Sequence, residues 1–137
     1  MPTIDEIQAA IIEDFSFIPE WDERYIYLIE IGQQLPPMPN AHKNEETLVK
    51  GCQSNVWLHH ECQDGKIHLQ ADSDSLIVKG LAALLLQVYS DQPVKDAADA
   101  ALIIFEKTGL DKHLSSQRAN GLMAMIEYIR KFAESCA

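Results

Sequence analysis

The sequence predicts an α+β fold, with a small antiparallel sheet packed against several helices. Three observations carry that prediction. Asp64-Gly65 separates two runs of alternating polarity, as a tight two-residue hairpin requires. Apolar residues recur at helical spacing on both sides of those runs. The chain has 137 residues, enough for one buried core, so a single domain over 1–137 is expected. A lone hairpin is marginal in water, so covering helices or a third strand must complete it.

The first helix is signalled by Thr3 followed by Glu6, a capping-box pattern, and by the stripe Ile4, Ile7, Ile11, Ile12 and Phe15. Ser16-Phe17-Ile18-Pro19 breaks it. A second helix is expected over about 20–34 with Trp21, Tyr25, Leu28 and Ile29 inward, ended by Gly32 and Pro36-Pro37-Met38-Pro39. Residues 35–48, with His42, Lys43, Glu45 and Glu46, read as a solvent-exposed connection.

The hairpin is expected over about 54–72. With Asp64-Gly65 as its turn, Leu58 pairs with Ala71, His60 with Leu69 and Cys62 with Ile67. Val56, Leu58, His60 and Cys62 then share one face, with Asn55, Trp57 and His59 on the other. Cys62 reads as a half-buried apolar filler. A short extra strand near Val49 is the candidate third strand.

Asp72-Ser73-Asp74-Ser75 ends the second strand, and Ser73 or Asp74 is expected to cap the next helix. That helix, about 75–89, carries Leu76, Ile77, Leu81, Leu84, Leu85 and Val88 with few charges, and reads as the central core element. Gly80 would permit close packing. Pro93 suits a helix start, and short helices are expected over about 94–98 and 99–107, with Gly109 as terminator. Ser115 caps the last helix, whose apolar face is Leu122, Met123, Met125, Ile126, Ile129 and Phe132. Cys136 is expected to lie exposed near its end.

The formal net charge of −10 opposes phosphate backbones, and no basic patch offsets it, so nucleic acid is not expected as a partner. No apolar run approaches the roughly 20 residues of a membrane span. The acidic Met1-Pro2-Thr3-Ile4-Asp5-Glu6 lacks the basic-then-apolar order of a signal peptide, and the cytoplasm is the expected compartment. Three cysteines at irregular spacing do not suggest a disulfide framework. His59, His60 and Cys62 invite a zinc reading, but adjacent strand histidines point to opposite faces and no paired-cysteine spacing is present. No metal site is therefore expected.

The stretch that carries chemistry is Lys50-Gly51-Cys52-Gln53-Ser54-Asn55-Val56-Trp57. It sets a thiol behind a glycine at the head of a strand, on a loop rather than inside an element. An ordinary cysteine has a pKa near 8.5, so about a few per cent is thiolate at neutral pH. Lys50, or free backbone N–H groups around Gly51 to Gln53, would raise that fraction if aimed at the sulfur.

Gly51-Cys52-Gln53-Ser54-Asn55-Val56-Trp57 resembles the G-C-Q-S-x-V-W signature of the SufE/CsdE family. These proteins are sulfur acceptors that work beside cysteine desulfurases in iron–sulfur cluster assembly. Asp72-Ser73-Asp74-Ser75-Leu76-Ile77-Val78-Lys79-Gly80-Leu81 and Leu114-Ser115-Ser116-Gln117-Arg118-Ala119-Asn120-Gly121-Leu122 resemble the same family, in the same order. Lys50 stands where many relatives have proline, and Ser116-Gln117 replaces a frequent Pro-Ser.

The resemblance implies a fold similar to SufE and to the IscU-like scaffold proteins. It implies that Cys52 accepts persulfide sulfur, stimulates a SufS- or CsdA-like desulfurase, and passes sulfur to a SufB-like scaffold. The chain itself would be an accessory protein rather than an enzyme. It would need no cofactor, since pyridoxal phosphate belongs to the partner desulfurase. Lys50, Gly51, Gln53, Ser54, Asp72, Asp74 and Arg118 are the candidate loop and partner contacts, and a homodimer is left open. The rival readings are an independent enzyme pairing Cys52 with His42 or His60, an iron–sulfur scaffold, and a non-catalytic adaptor.

Overall fold

The computed structural model describes residues 2–50 and 54–136. Six helices and a three-stranded antiparallel sheet run in the order α1 Ile4–Ser16, α2 Trp21–Gln33, β1 Val56–Gln63, β2 Lys66–Ser73, α3 Leu76–Tyr89, β3 Gln92–Pro93, α4 Val94–Asp99, α5 Ile104–Lys107 and α6 Ser116–Cys136. Single 3₁₀ turns lie at Asn40–His42 and Leu110–Lys112.

The hairpin forms in the expected register: Leu58 opposite Ala71, His60 opposite Leu69, Cys62 opposite Ile67. Its turn residues Asp64 and Gly65 have φ of 56° and 75°, the left-handed pair that a type I′ turn demands. The third strand comes from Gln92–Pro93, which pairs with Lys66 and Ile67. The segment before Val49 adds only a bridge, Leu48 opposite Trp57.

Val56, Leu58, Ile67, Leu69 and Ala71 form the buried face of the sheet. Central to the core is α3, with Val78, Leu81, Leu84, Leu85, Val88 and Tyr89 all buried. Truncating one such leucine to alanine typically costs about 2–5 kcal/mol. Where α2 crosses α3 the two backbones nearly touch: a Cβ on Gly32 would sit 2.8 Å from the Gly80 nitrogen, and one on Gly80 would strike the Leu28 carbonyl. Gly80 therefore packs as expected. Gly32 does not end its helix; it lies buried within it, with Ile31 beside it.

Several expectations need correction. Leu76 is exposed because it lies nearly opposite the α3 stripe that begins at Val78, and Met123 is exposed about 100° round α6 from its buried stripe. Ser75, not Ser73 or Asp74, caps α3 by accepting from the Val78 N–H. The helix expected over 99–107 shrinks to Ile104–Lys107. Gln8, fully buried on α1, explains this: its amide donates to the Ala101 carbonyl and its oxygen accepts from the Ile103 and Ile104 N–H groups. Those bonds tie residues 101–103 to α1 and delay the helix to Ile104.

The 35–48 connection is not plain solvent-facing chain either. Met38 and Thr47 are buried, and His42 and Lys43 lie on the outer face of the sheet. Cys62 is exposed rather than half-buried, and Cys136 is half-buried rather than exposed. The two are joined by a disulfide that their spacing did not suggest, with Cα atoms 6.1 Å apart. The strand end carrying Cys62 runs past the core, where the last turn of α6 meets it.

Candidate functional site

Gly51, Cys52 and Gln53 lie outside the described residues, but both shoulders of that tripeptide are firmly held. Before it, the Val49 N–H donates to the Val56 carbonyl at 2.8 Å, and the Lys50 N–H donates to the Tyr128 hydroxyl on α6 at 3.3 Å. After it, the Asn55 N–H donates to Asp74 Oδ1 at 3.1 Å, and the Asn55 carbonyl accepts from the Ser73 hydroxyl and the Asp74 N–H. Lys50 is thus tied to α6, and Asn55 to the start of α3.

Between those two elements opens a cavity of about 290 Å³, lined by Ser54, Ser75, Val78, Ser115, Arg118 and Gly121 among others. Ser75 caps α3, and the Ser115 hydroxyl accepts from the Arg118 N–H in the first turn of α6. Two helix N-termini, each the positive end of an aligned set of peptide dipoles, therefore meet beside a guanidinium. The Asp74 carboxylate, one residue before Ser75, lies on the same side of the chain as these helix ends. Ser54, two positions along from Cys52, forms part of the cavity wall. The cavity wall mixes serine hydroxyls and a guanidinium with the apolar Val78, so it can hold a polar or anionic group beside an apolar stem.

The other sequence-predicted residues fall as follows. Lys50 pairs with Glu45 at 3.4 Å, and both side chains are exposed. Asp72 is largely buried between Lys43 at 2.5 Å and Lys79 at 3.4 Å. Burial alone would push its carboxyl up, but the Lys43 ammonium, the Ser73 N–H and Lys79 together outweigh this and hold it below its usual value. Asp74 holds the Asn55 backbone. Arg118 is the one member of the charged set that reaches the cavity.

His42 stacks on His59 with ring centroids 3.9 Å apart, and its Nδ1 is 2.7 Å from Gln70 Oε1. His60 lies on the opposite face, stacked on Phe132 of α6 at 3.9 Å. Burial, reinforced by His59 nearby, lowers its pKa. Tyr128 had no local signal in the sequence, because the residue it anchors lies 78 positions away. Among the described residues two groups have metal-capable atoms within 4.8 Å of one another: His60, Cys62 and Cys136, and His42, His59 and Glu61.

Comparison with known proteins bears on the whole chain. Residues 9–133 match the family model described as "SufE: Fe-S metabolism associated domain". An uncharacterised SufE-like protein of Rhizobium meliloti (strain 1021) is 42% identical over 139 aligned positions, covering 98% of this chain and 96% of that one. A second, from Rhizobium etli, is also 42% identical, over 98% of this chain and 91% of its own. The solution structure of a hypothetical protein from Thermus thermophilus has the same fold, with a TM-score of 0.78 over 95% of each chain at 21% identity.

Proposed function

Because this chain belongs to the SufE family and so has a role in iron–sulfur metabolism, we propose that it is a sulfur acceptor, with Cys52 as the residue that carries the sulfur. The donor is a cysteine desulfurase whose active-site cysteine holds a persulfide, and the onward recipient is a cluster-assembly scaffold. The observation that carries this reading is the cavity whose wall includes Ser54 of the Gly51–Trp57 motif, with Arg118 and two helix N-termini facing into it.

The chemistry follows thiol–disulfide exchange. The Cys52 thiolate attacks the terminal sulfur of the donor persulfide. One sulfur–sulfur bond forms as the donor's sulfur–sulfur bond breaks, and the donor cysteine departs as its own thiolate. One negative charge enters and one leaves, no external oxidant is consumed, and the transferred sulfur keeps its oxidation state. The chain's part is to present a thiol, favour its ionised form and shelter the product. A partly enclosed cavity with a guanidinium and two helix N-termini in its wall supports the last two tasks. No cofactor is assigned to this chain; the pyridoxal phosphate that generates the persulfide sits on the donor. On this reading the chain is an accessory to the donor's turnover rather than an independent enzyme, and it works in the cytoplasm. Among the described residues no helix is long and apolar enough to cross a membrane.

Intact-mass analysis after incubation with an active cysteine desulfurase and L-cysteine tests the proposal. The native chain should gain the mass of one sulfur atom and Cys52→Ser should gain none. Absence of any gain on the native chain would overturn it.

A further inference from the structure

At the far end of β1 from Ser54, two rungs join the strand to the last helix. His60 and Cys62 lie two apart on a strand and so share a face, while Phe132 and Cys136 lie four apart on a helix and do likewise. The His60 ring stacks flat on Phe132, with an interplanar angle of 13°, and Cys62 bonds to Cys136. The imidazole and both sulfur atoms come within 4.8 Å of one another. Stacking fixes the plane of the imidazole but leaves its nitrogens at the ring edge. Among the described residues those nitrogens make no hydrogen bond.

We infer that the reduced chain binds one zinc-class divalent ion through His60, Cys62 and Cys136. Two thiolates and an imidazole are the donor set that such an ion prefers, and three protein ligands leave a fourth position to solvent. At Zn–S distances near 2.3 Å, two sulfurs on one tetrahedral ion stand about 3.8 Å apart. The Cα separation of 6.1 Å accommodates that spread with a change of side-chain rotamer alone. On binding, each thiol gives its proton to solvent. The disulfide is the alternative state of the same pair, so metal and disulfide exclude each other.

The second histidine group is a poorer candidate. The His42 and His59 rings are stacked nearly parallel, at 17°. Imidazole lone pairs lie in the ring plane, so stacked rings direct them along parallel lines rather than to a common point. One His42 nitrogen already faces Gln70.

The test uses the full chain carrying Cys52→Ser, so that the sulfur-accepting thiol cannot contribute. A phosphine reductant converts the disulfide to two thiols, consuming one water and becoming the phosphine oxide. Anaerobic titration with Co²⁺ should then give one equivalent of binding, a thiolate-to-cobalt charge-transfer band, and full displacement by Zn²⁺. Adding Cys62→Ser or Cys136→Ser should abolish the band. His60→Phe keeps a ring stacked on Phe132 and should weaken binding by about tenfold or more, at least as much as losing an outer-shell partner does. His42→Gln should change nothing. Cys136→Ser, in the last turn of α6, carries the test if His60→Phe does not fold. No charge-transfer band, a band that survives Cys62→Ser, or one lost with His42→Gln would each overturn the inference.

Discussion

The two ends of α6 do opposite things to the same strand. From Ser54 to Cys62 the chain travels roughly 26 Å at strand rise, and from Arg118 to Cys136 roughly 27 Å at helix rise. The helix therefore runs alongside β1 and reaches both of its ends. At the head, its cap and first turn contribute Ser115 and Arg118 to an open cavity. At the tail, its last turn contributes Phe132 and Cys136 to a stacked ring pair and a covalent link. One end is open and the other is fastened. A single rigid element thus lets the head stay open while the tail holds it in place.

The largest effect that would break this contrast lies at the tail. The Cys62–Cys136 link closes a loop with a sequence separation of 74. Replacing both cysteines with serine should lower stability by about 2–4 kcal/mol under oxidising conditions. Urea unfolding with and without reductant checks this, and the loss should vanish when both proteins are reduced. Sulfur gain at Cys52 should be unaffected if the two ends are independent.

At the head, Arg118→Ala should slow sulfur gain by about tenfold through lost steering and lost positive potential. It should leave the unfolding free energy in urea nearly unchanged, within about 0.5 kcal/mol. Single-turnover mass measurements against a fixed amount of desulfurase read the first, and an unchanged rate would take Arg118 out of the site.

Acid should separate the two ends more gently. Asp72 has a folded pKa below its unfolded value, so its contribution is present above the unfolded value, near 3.9, and is lost as pH falls through the folded value. With its neighbours Lys43 and Lys79, that contribution is roughly 0.5–1 kcal/mol. Below pH 4, hydrogen-exchange protection, corrected for the intrinsic rate at each pH, should fall first around 55–58 and 71–74, at the head, before it falls at Glu61 and Gln63. Lys43→Met should flatten that pH dependence. Smallest of all, Met123→Gln should change the unfolding free energy in urea by less than about 0.5 kcal/mol, because its side chain is exposed.

What the sequence made legible was whatever depends on neighbours in the chain. The Asp64-Gly65 turn set the register, the capping box at Thr3 and Glu6 marked α1, and period-two alternation assigned the sheet faces. The Gly51–Trp57 motif pointed to the family that the chain belongs to. Expectations failed where a distant residue decides the local structure. Gln8 ties residues 101–103 to α1 and keeps them out of a helix, against their helical pattern. Cys62 looked like a filler because its partner lies at the opposite end of the sequence. His59 and His60 were correctly placed on opposite faces. The residues that complete their surroundings, His42 in one case and Cys136 in the other, lie too far along the chain for any spacing rule to link them.

The Gly32–Gly80 crossing also bears on how such a chain can change over generations. Most packing contacts drift by exchange: one side chain grows and its neighbour shrinks, with volume conserved. Here both positions already hold the smallest residue, so neither can yield to an enlargement of the other. An added methyl must move a backbone, and α3 is the element whose first turn lines the cavity. Variation at this crossing is therefore one-sided. Gly80→Ala would register at the head of β1 as well as in the core, and no compensating substitution at Gly32 exists to restore it.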